Sequence, residues 1–235
     1  MTADRPILEI HDVRKSFGGV HALAGCGFSV GEGEIVGLIG PNGSGKTTLF
    51  NTIVGYLPLD DGRILYRGEN VTGLPPYQIA RKGIGRTFQV TRIFPKMTLL
   101  ENVTLPTGSA DANDRAYELL ELVGLADLQD EYASDLSFGQ QRLLSIIQVL
   151  MLDPWLILLD EPAAGVNPVM QKKLLELIHY LNEEGRTFLI IEHNMDVVMN
   201  NCERVVVLSM GEKIAEGSPD EVRRDEAVLT AYFGA

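Results

Sequence analysis

Cysteine is scarce in this sequence, which contains only Cys26 and Cys202 among 235 residues. The two lie far apart, and neither belongs to a spacing typical of metal ligands. Structural disulfides form in oxidising compartments, so reduced thiols in a cytosolic protein are the simplest account of this usage.

Long hydrophobic runs are also lacking: the longest are strand-sized, and none reaches the length needed to cross a bilayer. Residues 1–10 contain acids and a proline before any apolar run, which predicts no signal peptide. Positive charge is in deficit, with 20 Lys and Arg against 32 Asp and Glu and a net charge of −12. This balance argues against nucleic-acid binding and against electrostatic attachment to anionic lipid. If the protein works at a membrane, another protein must hold it there.

What is present is an ordinary globular composition, with 45% hydrophobic and 22% charged residues. Residues 7–37 and 63–66 are typical of short strands with turns, and buried-strand patterns recur at 155–159, 187–191 and 205–208. Helical patterns separate the late strands, notably at 168–184, which predicts an α/β fold with a mostly parallel sheet. Helical periodicity over about 95–150 predicts a helical subdomain inserted into that core.

A glycine-rich octapeptide directly follows the apolar run of residues 35–39 and opens a segment that can be helical. This phosphate-binding loop comprises, with the threonine after it, Gly40, Pro41, Asn42, Gly43, Ser44, Gly45, Lys46, Thr47 and Thr48. In a strand–loop–helix context its backbone N–H groups and the helix N-terminus hold phosphate oxygens. We expect Lys46 to reach the terminal phosphates and the Thr47 hydroxyl to ligate Mg²⁺. The motif therefore predicts nucleotide binding rather than an ordinary glycine turn.

Two adjacent acids, Asp160 and Glu161, follow the apolar run of residues 155–159. Buried parallel strands present functional residues at their carboxyl ends, where Asp160 can hold Mg²⁺ through water. Glu161 can polarise the attacking water as a general base. The alternative is that both acids cap a following helix whose start is signalled by Pro162.

The chain resembles ATP-binding cassette (ABC) ATPases in the order of four motifs. They are the phosphate-binding loop, an LSxGQ-type segment at residues 136–142, the paired acids and a later lone histidine. The resemblance covers nearly the whole chain and implies one ABC ATPase domain over 1–235, with an N-terminal antiparallel β subdomain. It also implies that two ATP molecules lie between two head-to-tail cassettes. Residues 136–142 are called the signature segment below.

The same resemblance implies roles for individual residues. Ser137, Gly139 and Gln140 of the signature segment would face the nucleotide held by a second copy. Gln89 would sense Mg²⁺ and the attacking water, His193 would face the γ-phosphate, and Phe17 would stack on adenine. Several positions depart from the commonest family pattern, namely Phe138, Asn167 and the pair at 147–148.

Several further segments resemble the ATPases of branched-chain amino acid importers, where Phe138 and Asn167 are expected. These segments span 83–89, 92–103, 160–168, 192–196 and 217–234. The resemblance implies a peripheral ATPase at the cytoplasmic face of the membrane, paired with itself or with a paralogue. The pair would lie beneath two permease subunits, and a substrate-binding protein would deliver the cargo. We expect the stretch from Arg86 to Val103 to meet the permease, the alternative being an ordinary surface loop.

Three other functions stay open at this point. The core motifs resemble the lipopolysaccharide-export ATPase nearly as well, although the stretch from Arg86 to Val103 does so less. A soluble ABC protein acting on ribosomes or DNA usually carries two cassettes or a long coiled-coil insertion, and this sequence shows neither. A small-molecule kinase would use the same phosphate-binding loop but leaves the signature segment and His193 without a role.

Overall fold

The computed structural model describes residues 6–88, 92–107 and 112–233. Within them a six-stranded sheet has the order β10-β9-β3-β8-β7-β6, and its five strands from β9 to β6 run parallel. Its strands are β3 (Ile35–Ile39), β6 (Ile84–Arg86), β7 (Leu156–Asp160), β8 (Thr187–Ile191), β9 (Arg204–Ser209) and β10 (Glu212–Gly217). Every residue of β3, β7 and β8 is buried, as expected for parallel strands covered on both faces.

A second, antiparallel sheet packs against one face of the first. In the described part of the chain it has four strands in the order β2-β1-β4-β5: β1 (Pro6–Phe17), β2 (Val20–Gly31), β4 (Asp61–Tyr66) and β5 (Glu69–Asn70). Its buried residues join Leu49 and Phe50 of α1 (Lys46–Ile53) and one face of the parallel sheet in a single hydrophobic cluster. Successive side chains of β3 divide between two clusters: Val36 and Leu38 belong to this one, and Ile35 and Ile39 to the cluster on the opposite face.

That second cluster is covered by helices. They are α3 (Leu99–Thr104), α4 (Ala112–Leu122), α5 (Phe138–Leu150), α6 (Pro168–Glu183), α7 (Met195–Asn201), α8 (Pro219–Arg224) and α9 (Glu226–Phe233). Another helix, α2 (Pro76–Arg81), lies just before β6. Capping boxes begin α3 at Thr98 and α5 at Ser137, which explains why these helices start where they do.

The sequence-based expectation of a parallel sheet with crossover helices and an N-terminal antiparallel sheet is confirmed. Strand β7 begins at Leu156 rather than at residue 155, and the β9–β10 hairpin had not been anticipated. Helices do occupy much of 95–150, although their status as a separate subdomain stays a prediction. None of the helices in the described ranges is both long and apolar enough to span a bilayer.

Candidate nucleotide site

The phosphate-binding loop connects β3 to α1 and depends on glycine at two points. At Gly40 (φ 151°), an added Cβ would lie 2.0 Å from the carbonyl oxygen of Leu208. At Gly45 (φ 103°), a Cβ would lie 2.3 Å from the carbonyl oxygen of Ala22. Both distances are far below van der Waals contact, so only glycine lets the loop pass this close to neighbouring backbone.

Lys46 begins α1, and its buried side chain turns back over the loop. Its Nζ donates to the carbonyl oxygens of Gly40 (2.8 Å) and Pro41 (3.0 Å) and to Ser44 Oγ (3.2 Å). Burial lowers the pKa of Lys46, while the charges of Glu161 and Asp160 act in the opposite direction. The ammonium group is thus poised inside the loop, near carboxylates from another strand, where it can meet an incoming phosphate.

Asp160 ends β7 and is 2% exposed. Its Oδ2 accepts a hydrogen bond from Arg86 Nη2 at 2.9 Å. Its Oδ1 is buried and has no hydrogen-bond partner among the residues that the structure describes. A buried carboxylate oxygen without a donor suits a magnesium ion or its bound water, since Mg²⁺ prefers oxygen ligands.

Glu161 and His193 meet at the carboxyl ends of neighbouring parallel strands, β7 and β8. His193 Nε2 lies 2.8 Å from Glu161 Oε1, a distance at which an N–H donates to a carboxylate. Glu161 has a left-handed backbone conformation (φ 50°), which is uncommon for a residue other than glycine. Such strained conformations cluster at functional sites.

An open cavity of about 330 Å³ brings these groups together. It is lined by Ala22, Asn42, Gly43, Ser44, Gly45, Lys46, Thr47, Thr48, Glu161 and His193. Gly40 and Pro41 accept from Lys46 beside it. The cavity therefore places a phosphate-binding loop beside a carboxylate and an imidazole, which can act on a water molecule next to the bound phosphate.

The two adjacent acids do not cap a helix, so that alternative is wrong. The chain turns after Glu161, and the next helix, α6, begins at Pro168 with Asn167 as its N-cap. The Asn167 side chain accepts from the backbone N–H of Met170 at 3.0 Å.

Four further sequence-predicted residues, Phe17, Ser137, Gly139 and Gln140, do not line this cavity. Phe17, 46% exposed, ends β1, and Lys15 Nζ lies 5.6 Å from its ring centroid. Ser137 and Gln140 bond each other at the start of α5, with Gly139 buried between them, and none of the three lines the cavity. Within one cassette, these signature residues therefore do not form part of the phosphate cavity. Gln89 lies outside the described residues.

Sequence reasoning missed Glu192, which is buried directly after β8. Its carboxylate accepts from the backbone N–H groups of Ala163 (2.8 Å) and His193 (3.2 Å). Burial raises the pKa of Glu192, and the hydrogen bonds from Ala163, His193 and Asn194 partly offset that effect. The available signal was an acid at the carboxyl end of a buried strand, the same position that marked Asp160.

Residues 23–164 match the family model for the ABC transporter. The chain belongs to the ABC transporter family. Residues 212–235 also match the C-terminal model described as the branched-chain amino acid ATP-binding cassette transporter. A nucleotide-free ATP-binding cassette from an ABC transporter superposes with a TM-score of 0.93 at 34% identity, over 98% of this chain and 100% of that one. The ADP conformation of MJ1267, another ABC transporter cassette, gives a TM-score of 0.91 at 35% identity over the same shares.

Curated relatives of this ABC ATPase match along almost their whole length. The high-affinity branched-chain amino acid transport ATP-binding protein LivG of Salmonella typhimurium is 40% identical over 98% of both chains. Its counterpart BraF of Pseudomonas aeruginosa is 38% identical over 98% of both chains. A probable LivG from Archaeoglobus fulgidus is 37% identical over 97% of this chain and 96% of its own.

Family membership establishes the activity in general terms. The chain is an ATP-binding, ATP-hydrolysing subunit of a transporter, with the P-loop ABC fold that the sequence predicted. Subunits of this kind dimerise and associate with membrane permease subunits. A small-molecule kinase is thereby excluded.

Proposed function

We propose that this ABC ATPase drives the import of branched-chain or closely related amino acids, from the cytoplasmic face of the membrane. The observation that carries the proposal is end-to-end similarity, at 36–40% identity, to proteins named for branched-chain amino acid transport. The separate match of residues 212–235 to the branched-chain amino acid C-terminal model supports it independently of the core motifs. That match also favours an importer over a lipopolysaccharide exporter or a ribosome- or DNA-associated ABC protein.

In the proposed hydrolysis, Lys46 and the loop N–H groups bind the β- and γ-phosphates of ATP. Glu161 takes a proton from the attacking water, and His193, held 2.8 Å from that carboxylate, orients the base and faces the γ-phosphate. Catalysis is then mostly positioning and electrostatic stabilisation, as in other phosphoryl transfers. Gln89 is assigned the Mg²⁺- and water-sensing role by the family resemblance alone.

The residues present fit a magnesium ion. Thr47 lines the cavity with its hydroxyl at the start of α1, and Asp160 offers the buried Oδ1 that lacks a donor within the described ranges. When bound there, the ion supplies neutralisation of the charge that develops on the phosphate oxygens.

Dimerisation completes the proposed site. Ser137, Gly139 and Gln140 would face the γ-phosphate held by a second cassette, either another copy of this chain or a paralogue. The start of α5 presents a helix N-terminus, which favours a negatively charged ligand. Phe17, exposed at the end of β1, remains our candidate for the surface on which adenine stacks.

The proposed permease contact is an apolar groove of about 250 Å³ between the parallel sheet and the helices α3 and α5, which we call the docking groove. Its walls include Phe88, Arg92, Phe94, Leu105, Ser145 and Gln148. The Arg92 guanidinium stands 4.0 Å from the Phe88 ring centroid, so a positive charge borders an apolar surface. Charges at such a rim steer and register a partner. A substrate-binding protein outside the membrane would act on this chain only through the permease.

Glu161→Gln tests the hydrolytic assignment. The amide cannot accept a proton from water, so we expect ATP binding to persist while turnover falls by about 10²–10⁴-fold. Tagged Glu161→Gln, purified from solubilised membranes with ATP, should bring permease subunits with it. Near-normal turnover would defeat the general-base role, and recovery of only a soluble dimer or of ribosomes would defeat the transport role.

Uptake assays test the cargo. Cells that lack this chain should lose uptake of labelled leucine, isoleucine or valine and regain it with the native chain but not with Glu161→Gln. Unchanged uptake of all three, with loss of a different solute, would contradict the assigned cargo.

Arg92→Glu tests the docking groove. Charge reversal should weaken association with the permease and leave ATP binding intact, because Arg92 does not line the nucleotide cavity. Arg115→Glu, at an exposed position of α4, is the matched control and should leave both unchanged. Equal association of the native chain and Arg92→Glu would contradict the assignment.

A further inference from the structure

Arg142 lies in α5, just after the signature glycine, and is only 2% exposed. A buried guanidinium is costly unless hydrogen bonds and opposite charges compensate it. Burial lowers the pKa of Arg142, and the charges of Asp160, Glu192 and Glu161 act against that effect. The side chain thus belongs to the group of acids at the carboxyl ends of β7 and β8.

The hydrogen bonds of Arg142 join separate parts of the fold. Its Nη1 donates to the carbonyl oxygen of Phe88 at 2.8 Å, and its Nη2 donates to the carbonyl oxygen of Glu161 at 2.8 Å. Phe88 follows β6, whereas Glu161 follows β7. The planar fork of arginine holds both carbonyls at fixed separation, which the single ammonium of lysine cannot reproduce.

The carbonyl that Arg142 holds belongs to the strained residue of the site. Glu161 has φ 50°, its N–H donates to the carbonyl oxygen of Ile191 at 2.9 Å, and the N–H of Ala163 donates to Glu192 at 2.8 Å. Backbone in a sparsely populated conformation persists only where its surroundings over-determine it. Arg142 supplies the part of that restraint that comes from the signature helix.

We propose that Arg142 is a positioning residue for Glu161, holding the Glu161 backbone so that its carboxylate meets His193 at the phosphate cavity. This proposal rests on the assignment of Glu161 as the general base. Arg142 does not line the cavity and touches neither phosphate nor water in the proposed reaction; it acts through Glu161.

The same side chain links the base to the docking groove. Phe88 lines that groove, and its carbonyl oxygen accepts from Arg142 Nη1. Ser145 also lines it, and its Oγ donates to the main-chain carbonyl oxygen of Arg142 at 2.8 Å. A permease that displaces the groove would therefore move the group that restrains Glu161. Since spatial proximity alone does not demonstrate coupling, the link needs a direct test.

Arg142→Met and Arg142→Lys provide that test in the full chain with its permease. We expect kcat for ATP hydrolysis to fall by about 10–100-fold with Arg142→Met, since small misplacements of a catalytic group cost up to about 10²-fold. KM and ATP affinity should stay near native values, because the phosphate-binding loop is untouched. Arg142→Lys keeps the charge and should recover only part of kcat. The control is Arg115→Met at an exposed position of α4, which should match the native chain.

A double-mutant cycle separates positioning from general damage. In a Glu161→Gln background the group to be positioned is already disabled, so adding Arg142→Met should change residual turnover by less than about 3-fold. Multiplicative losses, or native kcat in either Arg142 variant, would overturn the proposal. If Arg142→Met does not fold, Arg142→Lys decides the question by the same split between kcat and KM. Native turnover in Glu161→Gln alone would instead refute the general-base role.

Discussion

Replacing Arg86 with methionine should destabilise the cassette by about 3–5 kcal/mol, the usual cost of removing one partner of a buried ion pair. The Arg86 and Asp160 side chains are 5% and 2% exposed, and their atoms Nη2 and Oδ2 are 2.9 Å apart. Arg86 Nη1 also donates to Asn51 Oδ1 at 2.6 Å, and its guanidinium lies 5.5 Å from the Phe50 ring centroid. Methionine retains much of the apolar contact and removes the charge and the donors.

The magnitude follows from what happens to Asp160. Its Oδ1 already lacks a hydrogen-bond partner within the described residues, and the substitution removes the recorded donor to Oδ2. The buried carboxylate then loses its ion-pair partner and keeps only the more general attraction of the Lys46 and Arg142 charges. At about 2–4 °C per kcal/mol for a domain of this size, the melting temperature should fall by about 6–20 °C.

Thermal and urea unfolding of the nucleotide-free chain measure this loss. Adding Asp160→Asn to Arg86→Met removes the stranded charge, so the double variant should recover part of the lost stability. Arg115→Met, whose pair with Glu118 is exposed, should change stability by no more than about 0.5 kcal/mol. A loss for Arg86→Met as small as that control, or no recovery in the double variant, would refute this account of the pair.

Other predictions concern the loop, the buried acid and the docking groove. Gly40→Ala should abolish ATP binding or folding, because its Cβ would lie 2.0 Å from the Leu208 carbonyl oxygen. Gly43→Ala, whose Cβ would have no atom within 4 Å, should lower the free energy of unfolding by only about 1–2 kcal/mol. Equal losses of stability for the two variants in a thermal-shift assay would contradict this. Burial raises the pKa of Glu192, so the folded chain binds more protons than the unfolded chain above about pH 4.3, and this residue's contribution to stability falls as pH rises. Glu192→Gln should therefore gain stability relative to the native chain as pH rises above about 4.3, the ordinary pKa of a glutamate side chain, and a pH-independent difference would count against it. Asn102 is fully buried, and its Nδ2 donates to three carbonyl oxygens in and beside the loop before α3. Asn102→Ala should therefore lower the melting temperature and weaken permease association in a pull-down. Unchanged values of both would argue against a role of Asn102 in holding this loop.

Much of the nucleotide site could be predicted because its signals are local. The phosphate-binding loop is nine consecutive residues that run from the end of a strand into the first turn of a helix, and Asp160 and Glu161 directly follow a buried apolar run. Phe17 shows the limit of such reasoning: its place at the end of a strand was predictable, but the sequence could not tell whether it lines the phosphate cavity, and it does not. The β9–β10 hairpin was missed because Met210 and Gly211 form a tight turn with positive φ between strands that lack a strong alternating pattern.

By itself the sequence determined the class of fold, the loop that cradles phosphate and the order of the motifs, since each depends on neighbouring residues and their periodicity. Only the tertiary structure decided which charges compensate the acids. Arg86 lies 74 positions from Asp160, and Arg142 lies 54 positions from Phe88 and 19 from Glu161. The packing of α5 and β6 against β7 brings these partners together. Because burying a charge without a partner is costly, few other arrangements would be stable. No periodicity along the chain encodes a contact of that kind.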